Sequence, residues 1–163
     1  MNKSATVVVV IVVGLLAGLA PAALAEEQHP GHAMVTPAQI QWQAIGSLPP
    51  GAKVAVLEGD PAKPGDFTMR VELPANYVVP RHTHPTVERV TVLQGTFYLG
   101  IGEVFERDKA QALPAGSLAI MDTGVPMFAY TGEEPVVFQI NGTGPWGIDY
   151  LDPADDPRKK PSE

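Results

Sequence analysis

Two histidines and one glutamate, His82, His84 and Glu88, have the residue types and spacing that could do chemistry in this 163-residue chain. In a β-strand, residues i and i+2 point to the same face, so both imidazoles can reach one point. Glu88 has the same parity and opens a β-branched run of its own. Two neutral imidazoles and one carboxylate that converge in this way form a divalent metal site of the two-histidine, one-carboxylate type.

The same three residues also have an ordinary structural interpretation. A His-x-His pair in a β protein is often a surface feature or a hydrogen-bonded, half-buried pair, and Glu88 could be a solvated charge. The context favours the metal site, because Gly95 follows the strand where the chain must turn and a second strand begins at Thr96.

Short strands are the elements that must position these side chains. Apolar residues recur at period two over 67–73, which indicates a half-buried strand, with Arg70 either in water or lining a polar cavity. Turn residues, among 17 Pro and 16 Gly, separate the apolar runs and predict an all-β sandwich or barrel. The other predicted strands are 40–45 as an edge strand, 53–57, 96–101, 117–121, 127–130 and 136–140.

Three segments between these strands have less regular patterns. Residues 103–110 are rich in helix formers and indicate one short helix or an excursion between strands. Residues 113–116 contain Pro and Gly and indicate a turn, and residues 142–147 indicate a loop in which Trp146 covers the barrel end.

The spacing His82-x-His84-x3-Glu88-x6-Gly95 resembles the first conserved motif of the cupins. That motif normally opens with a glycine six residues before the first histidine, and this position is Asn76 here. Asn adopts a left-handed backbone more readily than most residues, so the departure from the motif is mild.

Residues 122–128 resemble the second cupin motif less completely. Gly124 stands at its expected position, but the leading proline of the family is Asp122 here and the closing asparagine is Thr131. The last histidine of the motif, which is the usual fourth metal ligand, is Met127.

The resemblance covers most of the chain after about Gly51. It implies a single cupin domain, an all-β double-stranded β-helix, which is a jelly-roll barrel with a metal inside its cavity. The implied metal ligands are His82, His84 and Glu88, with Met127 at the fourth position.

Two functions from different classes follow from such a site. A metal-dependent enzyme, an oxygenase or isomerase acting on a small molecule, would use the open positions of a divalent Fe, Mn, Zn or Cu ion. Tyr98, Tyr130 and Asp122 are then candidate proton donors or partners of the ligands. The alternative is a non-catalytic module that holds a metal or small ligand, which Met127 favours because a thioether is not a general base.

The first 25 residues have the order of a secretory signal peptide. Lys3 provides a basic start, an apolar run follows from Val7 to Ala20, and Ala23-Leu-Ala25 is a small-x-small cleavage signal before Glu26. An uncleaved anchor is the alternative, but the apolar run is shorter than the roughly 20 residues that a spanning helix needs. We therefore expect an exported protein, periplasmic or secreted, with a lead-in over 26–37, the barrel over 38–151 and a loosely attached tail over 152–163.

Charge and composition limit the partners. The whole chain has 11 Lys and Arg and 18 Asp and Glu. Cleavage of the predicted signal peptide would remove Lys3 and leave a net charge of −8. Such an acidic chain is a poor ligand for nucleic acid or an anionic membrane surface, which leaves a small molecule and a second copy, as a homodimer, as partners. The chain contains no cysteine, so thiolate chemistry is excluded. His29, His32 and Met34 could capture copper, but Pro and Gly between the two histidines favour an unstructured lead-in.

Overall fold

A computed structural model describes residues 32–159 of the chain. Residues 35–159 lie within one compact unit. The predicted signal peptide and His29 lie outside the described residues, so both remain predictions. Between residues 32 and 159 there is no helix long and apolar enough to cross a membrane.

The described residues form two antiparallel sheets. The first has six strands in the order β1 (Gln43–Ala44), β2 (Lys53–Glu58), β3 (Gly65–Leu73), β10 (Val136–Gly144), β5 (Glu88–Gln94) and β8 (Leu118–Met121). The second has five strands in the order β11 (Asp149–Tyr150), β4 (Val78–Thr83), β9 (Met127–Thr131), β6 (Thr96–Ile101) and β7 (Gln111–Pro114). The two sheets make the predicted jelly roll of a cupin-type double-stranded β-helix.

The hydrophobic core lies between the two sheets, as alternation along β3 predicts. The apolar residues of β3 are all buried, namely Phe67, Met69, Val71 and Leu73. Arg70 lies on the other face, where its Nε donates a hydrogen bond to Gln139 Oε1 at 3.3 Å. The cavity position considered for Arg70 is therefore not observed.

Two residues of the motif adopt left-handed backbone conformations. One lies before strand β4, and the other lies in the turn after strand β5. Asn76 has φ +55°, so it adopts the left-handed conformation that the family glycine provides. Gly95 has φ +75°, and a Cβ there would lie 2.4 Å from the carbonyl oxygen of Pro135, so only glycine fits. Thr131, in place of the family asparagine, is buried and its Oγ1 accepts a hydrogen bond from the Tyr77 N–H.

Several element boundaries differ from those the sequence predicts. Strand β10 continues past Ile140 to Gly144, because the backbone of this turn-like stretch pairs with β3 down to Gly65. Strand β7 occupies part of the predicted turn at 113–116, and the predicted edge strand at 40–45 is reduced to the two residues of β1. The segment 103–110 is an excursion that contains a single 3₁₀ turn, Arg107–Lys109.

The described part of the tail, residues 152–159, is hydrogen-bonded to the barrel through one arginine side chain. Arg158 donates from Nε to Asp156 Oδ1 at 2.7 Å and from Nη2 to the Ile148 carbonyl at 2.9 Å. Asp156 is 6% exposed. Proline content and mixed charge indicated a loose tail, but they do not reveal an ion pair that forms against the barrel.

Candidate metal centre

The predicted metal ligands line one cavity between the two sheets. His82, His84, Glu88 and Met127 all contribute to its wall, and each is at most 5% exposed. The cavity has a volume of about 40 Å³, which is room for an ion and a few water molecules. Most of the remaining wall is apolar, from core residues such as Val71, Val90, Phe97, Leu99 and Phe138.

A bulge in β4 aims His82 into this cavity. The pairing of β4 with β9 shifts register between Val79 and His82, so both side chains face inward although they are three residues apart. Arg81 faces outward, and its Nη1 donates a hydrogen bond to the Glu103 carbonyl at 3.0 Å. The bulge therefore lets one strand contribute both to the core and to the site.

Glu88 reaches the cavity from the opposite sheet. The chain leaves β4 in the five-stranded sheet after Thr83 and enters β5 in the six-stranded sheet at Glu88. Parity along a single strand is therefore not why the carboxylate meets the histidines. The ring centroids of His82 and His84 are 4.9 Å apart, and His84 Nε2 lies 3.5 Å from Glu88 Oε2.

Hydrogen bonds to backbone carbonyls orient both imidazoles. Nδ1 of His82 lies 2.6 Å from the Pro80 carbonyl oxygen, and Nδ1 of His84 lies 2.6 Å from that of Gly147. A carbonyl only accepts, so Nδ1 carries a proton in each ring, and Nε2 is the nitrogen with a lone pair in the neutral form. Metal-binding histidines usually have this arrangement. Burial, and then His84 nearby, lower the pKa of His82 to about 3, so this ring is neutral at physiological pH.

The buried carboxylate of Glu88 lacks the compensation that an anion needs. Burial raises its pKa above the ordinary value, and His84 and Trp146 offset this only in part. The indole of Trp146 stacks on His84, with centroids 5.1 Å apart and planes 19° apart. Its Nε1 is buried without a hydrogen-bond partner among the described residues, although it lies near enough to Glu88 to affect that pKa. A cation in the cavity would compensate the carboxylate.

The donor set fits a divalent ion in type and tautomer, but it is not a preformed cluster. Among residues 32–159, no three His, Cys, Asp or Glu side chains are spaced as a ready metal site. His84 and Glu88 form the close pair, with His82 beside them. Small side-chain movements within the cavity would be needed to bring all three donors to one ion.

Met127 lies where the second motif predicts it. It is the register partner of His82 across β4 and β9, it is fully buried, and it lines the cavity. The three candidate proton donors do not reach the cavity. Tyr98 and Tyr130 stack on each other with centroids 4.7 Å apart, on the face of β6 and β9 away from the cavity, and Asp122 is exposed.

Trp146 and the Gly147 carbonyl are the site features that sequence patterns predicted least. The loop at 142–147 indicated Trp146 as a cover for the barrel end, and Trp146 does line the cavity. Its stacking on His84 and the hydrogen bond from His84 to Gly147 join residues about 60 positions apart. No local periodicity or spacing signals a contact of that range.

We expect His82 to make the metal-free protein less stable as the pH falls from about 6.5 towards 4, relative to a variant in which this position does not titrate. Folded His82 resists protonation until about pH 3, whereas the unfolded residue binds a proton near pH 6.5, so acid favours unfolding. Over that range the loss from His82 should be on the order of 2–4 kcal/mol. Glu88 acts in the opposite sense, since its raised pKa stabilises the fold at low pH and this contribution is lost as the pH rises above its ordinary value.

Urea unfolding at pH 4.5, 5.5 and 7 measures this dependence. The variant His82→Gln keeps an amide donor for the Pro80 carbonyl but does not titrate, so its stability should fall less in acid. An equal fall in both proteins would show that His82 is not the responsible group.

Comparisons with known proteins agree with the fold. A family model described as the ChrR cupin-like domain matches residues 30–118, more than half of the chain, and this range includes His82, His84 and Glu88. No curated protein matches the chain.

Solved structures show the same architecture at low identity. The polyketide cyclase RemF from Streptomyces resistomycificus superposes with a TM-score of 0.63 at 16% identity, over 78% of this chain and 91% of that one. An RmlC-like cupin from Shewanella frigidimarina has a TM-score of 0.55 at 15% identity, over 70% and 93% of the two chains. The DMSP lyase DddQ from Ruegeria pomeroyi has 0.54 at 20% identity, over 66% and 58%.

These structural similarities support the fold alone, whereas the family match covers the first motif itself. The jelly roll, the left-handed Asn76 and the inward-facing His82, His84 and Glu88 are the features that the motif predicts. The chain belongs to the cupin superfamily, in the family defined by the ChrR cupin-like domain.

Proposed function

We propose that this chain is an exported cupin that binds one divalent metal ion through His82, His84 and Glu88 and holds a small ligand at that ion. The observation that carries the proposal is the orientation of the two imidazoles, whose Nδ1 atoms are fixed on backbone carbonyls while Nε2 of His84 lies 3.5 Å from the buried carboxylate of Glu88. A purely structural histidine pair has no need of an uncompensated carboxylate beside it.

A bound divalent ion would supply a Lewis acid with open coordination positions in an apolar cavity. The residues of this chain would hold the ion, exclude bulk water and keep both rings in one tautomer. Met127 lies beside the ligands as a soft, neutral neighbour. The ligand types admit Fe, Mn, Zn or Cu, and the thioether favours the softer ions of this set.

Metal-dependent binding of a small ligand is the function that the cavity supports best. Of the described residues that line it, His82, His84 and Glu88 are the titratable ones, so a separate general acid or base is lacking there. A metal-dependent oxygenase or isomerase is the second candidate. It is supported by the two-histidine, one-carboxylate donor set and by similar folds in proteins named polyketide cyclase and DMSP lyase.

Fluorescence of Trp146 tests the proposal directly. Its ring stacks on His84, so a paramagnetic ion such as Co(II) bound at the site should quench its emission saturably, at one ion per chain. The other tryptophan, Trp42, does not line the cavity. Trp146→Phe should therefore remove most of the quenching and keep ring stacking on His84. Quenching of equal size in that variant would contradict binding at this site.

Export is the second part of the proposal. The order of basic, apolar and small residues in the first 25 positions supports cleavage before Glu26. Mass spectrometry of protein recovered from the exported fraction should give a chain that begins at Glu26. An intact Met1 in a membrane fraction would contradict it.

A further inference from the structure

The free edge of β8 differs from the other sheet edges described. Strand β8 ends the six-stranded sheet and pairs only with β5 in it. Its sequence, Leu-Ala-Ile-Met, carries no charge and no proline, and its register with β5 has no shift over 118–121. A bulge in this pairing lies before the strand, where Gly116 and Ser117 both bond to Val92. The other edge strands, β1 and β11, are two residues long, and β7 ends in Pro114. Charges, prolines, bulges and short length are what normally protect an edge from pairing, so β8 is the unprotected one.

Two large apolar side chains are exposed on this strand. Leu118 is 59% exposed and Ile120 is 58% exposed, both on the outer face of the sheet, while Ala119 and Met121 face the core. Leu93 on the neighbouring strand β5 adds a 42% exposed side chain nearby. The edge therefore combines unpaired backbone with an apolar outer surface.

The pairing of β8 with β5 determines which residues of β8 direct their backbone N–H and C=O groups to β5 and which direct them to the free edge. The Val92 N–H donates to the Ser117 carbonyl at 3.0 Å, and in an antiparallel ladder hydrogen-bonded pairs alternate with non-bonded pairs. Ala119 and Met121 therefore direct their backbone groups to β5. Leu118 and Ile120 direct their N–H and C=O groups to the free edge, where none of them bonds to another described part of the chain.

We propose that β8 pairs with β8 of a second copy of this chain about a two-fold axis that passes midway between the two Ala119 residues. An axis perpendicular to the sheet keeps outer side chains on the outer face, so Leu118 lies opposite Ile120 of the other copy and Ala119 lies opposite itself. Leu118 and Ile120 then form two hydrogen-bonded pairs, with four N–H to C=O bonds. Ala119 forms the central non-bonded pair, in which side chains are closest.

This register pairs the free backbone groups of Leu118 and Ile120 in both copies. It joins the exposed Leu118 and Ile120 of both copies into one apolar row, and it places no charged residue of β8 in the contact. The chain as a whole is acidic, with a net charge of −7, so two copies repel at long range. A four-residue edge also buries less area than a standard stable interface of about 1,200–2,000 Å². The dimer should therefore be reversible and should strengthen with salt.

Single cysteines test the register, because the chain has none of its own. Under mild oxidation Ala119→Cys should form a disulfide-linked dimer, since its Cβ faces its own symmetry mate at about 4.5–5.5 Å. The matched control is Leu118→Cys, which lies opposite Ile120 and only diagonally from its own mate, about 7–8 Å away. Equal or slower linking of Ala119→Cys would overturn the proposed register.

Sedimentation velocity over a range of protein concentrations tests the edge without a crosslink. The wild-type protein should show a concentration-dependent dimer, and Ile120→Lys should weaken it at least about tenfold because it places two cations in the contact. Ile101→Lys is the control, since Ile101 is 61% exposed at the end of β6 in the other sheet and should leave association unchanged. A monomer at all concentrations, or a dimer insensitive to Ile120→Lys, would overturn the proposal.

Discussion

Replacing Glu88 by glutamine is expected to abolish tight divalent metal binding and, at the same time, to stabilise the metal-free protein. The substitution removes the proposed anionic ligand, so affinity for Zn(II) or Mn(II) should fall by at least about 100-fold. In the metal-free state burial raises the pKa of the Glu88 carboxyl, so above the ordinary pKa this group costs folding free energy that a neutral amide avoids. The thermal midpoint without metal should therefore rise by a few degrees.

Isothermal titration and thermal unfolding, each with and without Zn(II), measure the two effects. Glu72→Gln is the matched control, because Glu72 is a partly exposed carboxylate of β3 that pairs with Lys53 at 2.8 Å. It should leave the affinity for metal unchanged, and it should not raise the thermal midpoint of the metal-free protein. If Glu88→Gln keeps the affinity, or lowers the stability of the metal-free protein, Glu88 is a structural group and not a ligand.

Replacing Met127 by histidine is expected to tighten binding of Zn(II) or Mn(II) by about 10–100-fold. Met127 lies opposite His82 in the wall of the cavity, so an imidazole there would provide the fourth ligand that the cupin motif normally has. The thermal midpoint in excess Zn(II) should rise, because only the folded state holds the assembled site. Binding of Cu(I) should weaken, since a soft thioether is lost.

A second methionine separates ligation from packing in this experiment. Met69 is 2% exposed in the same core but does not line the cavity. Both Met69→His and Met127→His bury a polar ring and should destabilise the metal-free protein. Only Met127→His should recover stability when Zn(II) is added. Equal behaviour of the two variants would place Met127 in the core and away from the ion.

Local patterns predicted most of the fold. Alternation over β3, the β-branched run of β5 and the turn at Gly95 each reflect a preference that a few neighbouring residues determine. The extension of β10 to Gly144 was missed for the opposite reason. Its Asn-Gly-Thr-Gly sequence has turn propensity, and only pairing with β3 makes it a strand.

The sequence predicts which residues line the cavity, but it does not predict how the strands bring them together. Spacing within the motif identified His82, His84 and Glu88, and the second motif identified Met127, all of which line one cavity. The bulge that turns His82 inward and the passage to the other sheet before Glu88 depend on strand pairing across the barrel.

The metal content of the protein purified from its native source is the most direct test of the account. Protein purified without added metal or chelator should contain about one divalent ion per chain by elemental analysis, and the same analysis of His84→Ala should show nearly none. Among the proposed ligands His84 is the one to remove, because its Nε2 lies 3.5 Å from Glu88 Oε2 and its Nδ1 is fixed by the Gly147 carbonyl. Full occupancy in His84→Ala, or a folded wild-type protein that neither contains nor takes up a divalent ion, would contradict a metal centre in this barrel.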